Sequence, residues 1–200
     1  RHLSEMAQET RYGFYGDIDY AIIEAAAIDE NGEILLGCGV GNIPTYAPMA
    51  KKIFVELNEA LPQQLLGMHD IYKPLDPPRR REIPIYSPSD RIGRPTLKVD
   101  PAKVVGIVRT NELDGVKAFT APDETSERIG ANVVRFLVSE YQKGRIPKEF
   151  LPLQSGVGNV ANAVLNYLLH DKELPSFMMY TEVVQDSVLE LLRQGKCKFA

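Results

Sequence analysis

The 200-residue sequence predicts an α/β fold built on open, mostly parallel sheets. Two observations carry this. Residues 151–193 alternate strand, turn, helix, strand and helix, the βαβ order that sets parallel strands side by side. Residues 19–57 hold three short apolar runs divided by turn signals rather than by helical periodicity.

The elements follow in chain order. Asp19-Tyr20-Ala21-Ile22-Ile23-Glu24-Ala25-Ala26-Ala27-Ile28 is apolar and short, so it reads as a strand. Asn31-Gly32 is a turn signal, and Glu33-Ile34-Leu35-Leu36-Gly37 is the second strand. Ile53-Phe54-Val55-Glu56-Leu57 is the third. Between them lie Gly39-Val40-Gly41-Asn42-Ile43-Pro44 and a short helical stretch over residues 46–51. Residues 73–101 hold seven of the 14 prolines and the triplet Arg79-Arg80-Arg81. Proline removes backbone donors and fixes φ, so this is an extended surface excursion or linker. The arginine triplet reads as a solvated face, with a phosphate contact as the alternative.

Residues 103–108 are a strand, followed by a turn at Leu113-Asp114-Gly115. Thr120 is the N-cap of the next helix, with Pro122, Asp123 and Glu124 in its first turn, where acids complement the helix dipole. Ile129, Val133, Phe136, Leu137 and Tyr141 keep helical spacing up to Gly144. Leu151-Pro152-Leu153-Gln154 is a strand entering the turn Ser155-Gly156-Val157-Gly158-Asn159. Residues 160–170 are a helix, and Phe177-Met178-Met179-Tyr180-Thr181 is a buried strand. Residues 186–193 are an amphipathic helix through Val188, Leu189, Leu191 and Leu192, stopped by Gly195.

Composition excludes several classes. Hydrophobic residues are 44% and charged residues 25%, ordinary for a soluble globular chain. A net charge of -4 argues against nucleic acid, whose phosphates need a basic surface. No run approaches the ~18 apolar residues of a membrane span. Cys38 and Cys197 make no disulfide framework, and the charged start Arg1-His2-Leu3-Ser4-Glu5 is no signal peptide, so a reducing, cytoplasmic setting is expected. Both cysteines read as inert small apolar residues. His2, His69 and His170 show no ligand spacing, and no metal is expected. The chain starts without Met and stops as a new apolar run could begin. The expected reading is a piece of a longer polypeptide, against a trimmed complete domain.

Two features point to chemistry. In open α/β sheets ligands bind at the carboxyl ends of strands. There the turn Gly156-Val157-Gly158 enters a helix whose N-terminal N–H groups favour negative charge. Glu182 ends the next strand, across the same sheet edge. Residues 156–161 also fit G-x-G-x-x-A, so one reading is a dinucleotide-binding Rossmann module in which Glu182 holds a ribose hydroxyl. The other is covalent: a carboxylate attacks a thioester while backbone N–H groups hold the oxyanion. The plain alternative is a tight turn beside a solvent-facing acid. Gly39-Val40-Gly41-Asn42 echoes the later turn and hints at two similar half-domains.

The segments Ser155-Gly156-Val157-Gly158-Asn159-Val160-Ala161-Asn162-Ala163-Val164 and Tyr180-Thr181-Glu182-Val183-Val184-Gln185-Asp186 resemble the acetyl-CoA hydrolase/transferase family, and within it the succinyl-CoA:acetate CoA-transferases. Ile22-Ile23-Glu24-Ala25-Ala26-Ala27, Gly67-Met68-His69-Asp70-Ile71-Tyr72, Arg91-Ile92-Gly93-Arg94-Pro95 and Ala121-Pro122-Asp123-Glu124-Thr125-Ser126 extend the resemblance along nearly the whole chain.

The resemblance implies a CoA-transferase-like (NagB/RpiA-type) fold. Residues 1–112 would be the C-terminal part of a first domain, and residues 113–200 the start of a second, catalytic one. It implies Glu182 as the nucleophile of ping-pong CoA transfer, through a mixed anhydride and a glutamyl-CoA thioester. Gly156, Val157, Gly158, Asn159 and Val160 would contact coenzyme A, and the Val157 N–H would be an oxyanion donor. The implied partners are acyl-CoA and small carboxylates such as acetate, with acetyl-CoA hydrolysis as the near variant. A homodimer is expected, although no residue pattern carries it. A second glycine-rich CoA loop would lie beyond residue 200, so residues 1–200 alone are expected to be inactive. Glu182 is expected to be buried, with desolvation balanced by the dipoles of the turn. His69 reads as structural or pocket-lining.

Overall fold

The computed structural model describes residues 2–115 and 122–200. The chain forms two compact units: Arg1–Pro84 with Arg91–Gly115, and Ile85–Asp90 with Val116–Ala200.

The first unit contains α1 (Leu3–Arg11), β1 (Tyr20–Ile28), β2 (Glu33–Leu36), α2 (Ile43–Met49), β3 (Lys52–Asn58), β4 (Leu97–Lys98) and β5 (Val104–Thr110). They build one sheet in the order β4-β2-β1-β3-β5. The connections explain the pairing. Gly32 takes φ +78 in the tight turn after β1, and Asp29 Oδ1 accepts from the N–H groups of Asn31 and Glu33, so β2 returns antiparallel. The path from β2 to β3 crosses through α2, which lets β3 run parallel to β1; β5 then runs parallel to β3. Period-2 alternation buries Ala21, Ile23, Ala25, Ile53 and Val55 against Ile34, Leu36, Ala47 and Leu97. Each fully buried Ile or Leu there contributes about 1.5–3 kcal/mol.

Several expectations are corrected in this unit. The short helix runs over Ile43–Met49 rather than residues 46–51, because Pro44 suits a first helical turn. Helix α1 escaped the sequence reading because its residues are mostly polar and it buries only Thr10. The excursion over residues 73–101 is extended but is not a free linker. Asp76 accepts from Arg11 Nε at 2.7 Å, Asp70 accepts from Gly93 N at 2.6 Å, and Leu97–Lys98 pairs antiparallel with β2. Arg79, Arg80 and Arg81 are exposed, and Arg80 donates to Gln8 Oε1 at 2.8 Å. Leu113, Asp114 and Gly115 form no regular turn.

The second unit contains α3 (Glu124–Gln142), α4 (Asn159–His170), β6 (Phe177–Met178), α5 (Asp186–Arg193) and β7 (Cys197–Phe199). β6 and β7 pair in parallel, and Leu153 makes a parallel bridge to Met179. The strand expected over residues 151–154 therefore reduces to one bridged residue. Pro152 has no N–H to offer a ladder. Val134, Phe150, Leu165, Leu168, Phe177, Met179, Val188 and Leu191 form the core.

Thr120 lies outside the described residues; the observed N-cap of α3 is Asp123, whose Oδ1 accepts from Ser126 N at 2.7 Å. The apolar spacing gave the helix but not the whole of its inner face. Ile129, Val133 and Phe136 are exposed, whereas Ser126, Gly130 and Val134 are buried. A Cβ on Gly130 would stand 2.8 Å from the Ala163 carbonyl carbon, so the small residue lets α4 approach closely.

Candidate functional site

The parallel bridge at Leu153 aims the chain into the glycine turn, and the order of strand pairing brings residues 181–187 beside it. Leu153 N donates to Met178 O, and Tyr180 N donates back to Leu153 O, each at 3.0 Å. Past this bridge both segments leave the sheet on the same side.

Ser155 is buried, while Gly156 and Val157 face solvent. Gly158 adopts φ +127 with ψ 169 and is the N-cap of α4. An L side chain rarely tolerates that φ, so glycine is required at this position. No side chain caps the helix there, which leaves the positive end of α4 open toward the turn.

Glu182 lies three residues past Met179, in a bend before α5. It is exposed, not buried, which corrects the expectation of a desolvated carboxylate. Among the described residues no hydrogen bond or ion pair holds its side chain.

The two segments are cross-braced. Thr181 Oγ1 accepts from Ser155 N at 3.2 Å and donates to Ser155 O at 3.0 Å, with Val183 O at 3.1 Å as a second acceptor. Gln185 Nε2 donates to Gly156 O at 2.8 Å. Ser187 Oγ donates to Asn162 Oδ1 at 3.2 Å, tying the first turn of α5 to that of α4. Gln185 is 4% exposed, and its Oε1 is buried with no hydrogen-bond partner among the described residues. Sequence reasoning missed Thr181, Gln185 and Ser187. The only available signal was polarity beside a buried run, which does not distinguish a brace from a surface residue.

Thus Gly156, Val157, Gly158, Asn159 and Val160 are gathered with Glu182 at the carboxyl end of β6. The arrangement offers backbone dipoles, an open helix N-terminus and one exposed carboxylate. Such a set suits attack on a carbonyl next to fixed donors. The dinucleotide pattern sits less well, because its glycines follow a single bridged residue rather than a full strand.

The remaining candidates have structural partners or none of note. The turn over residues 39–42 belongs to the first unit and leads into the seven-residue α2. His69 Nε2 donates to Leu36 O at 3.0 Å, a structural tie. Cys197 is buried and burial pushes its thiol up, as expected of an inert residue, but Cys38 is exposed. Among the described residues no group of three or more His, Cys, Asp or Glu could hold a metal ion, and no helix is long and apolar enough to cross a membrane.

Comparison with known proteins bears on this geometry. The acetyl-CoA hydrolase/transferase N-terminal domain family matches residues 1–109. The chain is 46% identical over 195 residues to the propanoyl-CoA:succinate CoA transferase of Escherichia coli, covering 98% of this chain and 40% of that protein. It is 45% identical to the succinyl-CoA:acetate CoA-transferase of Clostridium kluyveri, covering 98% of this chain and 36% of the relative. It is 43% identical to the acetyl-CoA hydrolase of Schizosaccharomyces pombe, covering 100% of this chain and 39% of the relative. The chain therefore spans about two fifths of the length of the relatives it matches. A solved 4-hydroxybutyrate CoA-transferase from Porphyromonas gingivalis shares the fold with a TM-score of 0.60 at 21% identity, covering 98% of this chain and 39% of that one.

Proposed function

The chain belongs to the acetyl-CoA hydrolase/transferase family, and from that premise we propose that it carries the nucleophile and one oxyanion donor of a CoA-transferase. The bracing of residues 155–156 to residues 181–185 is the observation that carries this reading, because it holds the glycine turn next to the Glu182 loop.

The chemistry runs as follows. A Glu182 carboxylate oxygen attacks the carbonyl carbon of an acyl-CoA, and the Val157 N–H receives the developing oxyanion. The C–S bond breaks, CoA leaves as thiolate, and a mixed anhydride remains. The thiolate then attacks the Glu182 carbonyl carbon, releasing the first carboxylate and leaving a glutamyl-CoA thioester. An incoming carboxylate such as acetate reverses these steps, so thioester energy is conserved. Gly156, Val157, Gly158, Asn159 and Val160 line the approach of coenzyme A. No metal enters any step.

We assign residues 1–112 to the end of a first domain and residues 113–200 to the start of the catalytic one; a family match that stops at residue 109 supports this division. The proposed assembly is a homodimer in the cytoplasm, to be checked by light scattering of the full-length protein. The 43% identity to a hydrolase supports a second reading, with water replacing the acceptor acid. Acyl-CoA consumption without added carboxylate would identify it.

The test is mass spectrometry of the full-length enzyme with acyl-CoA, followed by borohydride. Borohydride is expected to reduce the Glu182 thioester to the side-chain alcohol with release of CoA, a change that marks Glu182 by mass. Tight NAD binding without this change would overturn the proposal in favour of a dinucleotide module. Glu182→Ala is expected to lower transfer at least ~1,000-fold, as loss of a covalent nucleophile does.

A further inference from the structure

Gly156 O and Val157 N belong to the same peptide group. That group is planar and trans, so its C=O and N–H point in opposite directions and turn together. Whatever fixes the Gly156 carbonyl fixes the aim of the Val157 N–H. Two side chains hold this carbonyl, and of these the Ser155 hydroxyl makes the longer bond, Oγ donating to Gly156 O at 3.2 Å. Gly156 has no neighbour within 4 Å of where a Cβ would stand, and glycine imposes no conformational preference of its own. Gln185 Nε2 donates to this carbonyl at 2.8 Å from a side chain that is buried.

We propose that Gln185 is a positioning residue for the oxyanion donor: its amide holds the Gly156–Val157 peptide so that the Val157 N–H faces the reacting carbonyl. The inference rests on the transferase reading above. Two further observations support it. Gln185 Oε1 is buried without a partner among the described residues, and folded proteins rarely leave such an acceptor unpaired. An apolar side chain would fill the same space with no orphan, so what the glutamine adds is the bond to Gly156. Flipping the amide does not remove the orphan. It would set Oε1 against a carbonyl oxygen and strand Nε2 instead. Donation to a C=O also polarises the attached N–H, which strengthens it as a donor. Gln185 lies three residues from Glu182, so one short loop carries the nucleophile and aims the group that stabilises its product.

The test uses the full-length enzyme and acyl-CoA alone, following formation of the Glu182 adduct by rapid quench and intact mass. Gln185→Met keeps the volume and removes the donor. Adduct formation is expected to slow ~10–100-fold, below the full effect of deleting an oxyanion donor, while half-saturation by acyl-CoA moves less than about threefold. Gln185→Glu makes the idea separable from misfolding. As a carboxylate it cannot donate and faces the Gly156 oxygen; once protonated it donates again. Its rate relative to wild type should therefore rise as pH falls from 7.5 toward 5, reversibly. Equal rates in all three proteins would overturn the inference. So would a Gln185→Met defect confined to half-saturation, or a Gln185→Glu profile parallel to wild type. If wild type forms the adduct but position 185 is indifferent, this inference fails alone. If wild type forms none, the transferase reading fails and takes it along.

Discussion

At the residue scale, the functional candidates are set by where hydrogen bonds go rather than by which residues are acidic. Glu182 and Asp123 are both exposed acids beside helix starts. Asp123 is engaged: the Ser126 N–H lies 2.7 Å from its Oδ1 and holds its carboxyl below the usual aspartate range. Glu182 has no such partner among the described residues. The difference gives a pH prediction. A folded-state pKa below the unfolded one contributes stability that is complete above the unfolded value, about 3.9, and is lost as pH falls through the folded value. Asp123→Ala should therefore lower the melting temperature at neutral pH, modestly because the site is open to solvent. Its deficit relative to wild type should close as pH drops below about 3.9. Melts followed by circular dichroism from pH 7 to 2.5 check this. A deficit unchanged across that range would mean the carboxylate bond contributes nothing.

At the element scale, the packing of α3 on α4 depends on an absence. Gly130 leaves the space that the Ala163 backbone occupies, with an added Cβ only 2.8 Å from the Ala163 carbonyl carbon. Alanine is favoured over glycine inside a helix by about 1 kcal/mol. Overpacking against a backbone that must shift costs about 1–3 kcal/mol. Gly130→Ala is therefore expected to destabilise by about 1 kcal/mol net in denaturant titration, and a gain in stability would refute the close approach. The same contact explains what the sequence could and could not tell. Period, acids in the first turn and terminal glycines placed α3, α4 and α5 within a few residues of their observed ends, because those signals are local. The spacing did not reveal the whole buried face of α3: Leu137 and Tyr141 pack on the core, but Ser126 and Gly130 carry no hydrophobic signal, and Ile129, Val133 and Phe136 are exposed. Residues 151–154 failed as a strand because a run with Pro152 can complete only part of a ladder. The pairing of the glycine turn with Glu182 was legible from βαβ order. The Thr181 and Gln185 braces were not, since their partners lie 26 and 29 residues away along the chain.

At the scale of the whole molecule, the chain has separate cores rather than one. Ile23, Ile34, Leu36, Ile53 and Val55 belong to one cluster, and Leu168, Phe177, Met179, Val188 and Leu191 to another, with no residue in common. Each cluster lies within one compact unit. The strand order β4-β2-β1-β3-β5 closes the first core without any element of the second unit, and the parallel pairing of β6 with β7 does the same for the second. Truncation in either core should then act on its own elements. Leu36 and Leu191 are both fully buried, so replacing either by alanine removes the same side chain and leaves a comparable void. Each is expected to destabilise by about 2–5 kcal/mol. Native-state hydrogen exchange separates them: Leu36→Ala should raise exchange in β1 and β3, and Leu191→Ala in α4, α5 and β6. Because the glycine turn and the Glu182 loop hang from β6, Leu191→Ala should also loosen the proposed site, whereas Leu36→Ala should leave its amide protection unchanged. Equal loss of protection in both units from either variant would show that the cores fold as one, and that the site draws its rigidity from the entire chain rather than from the second unit.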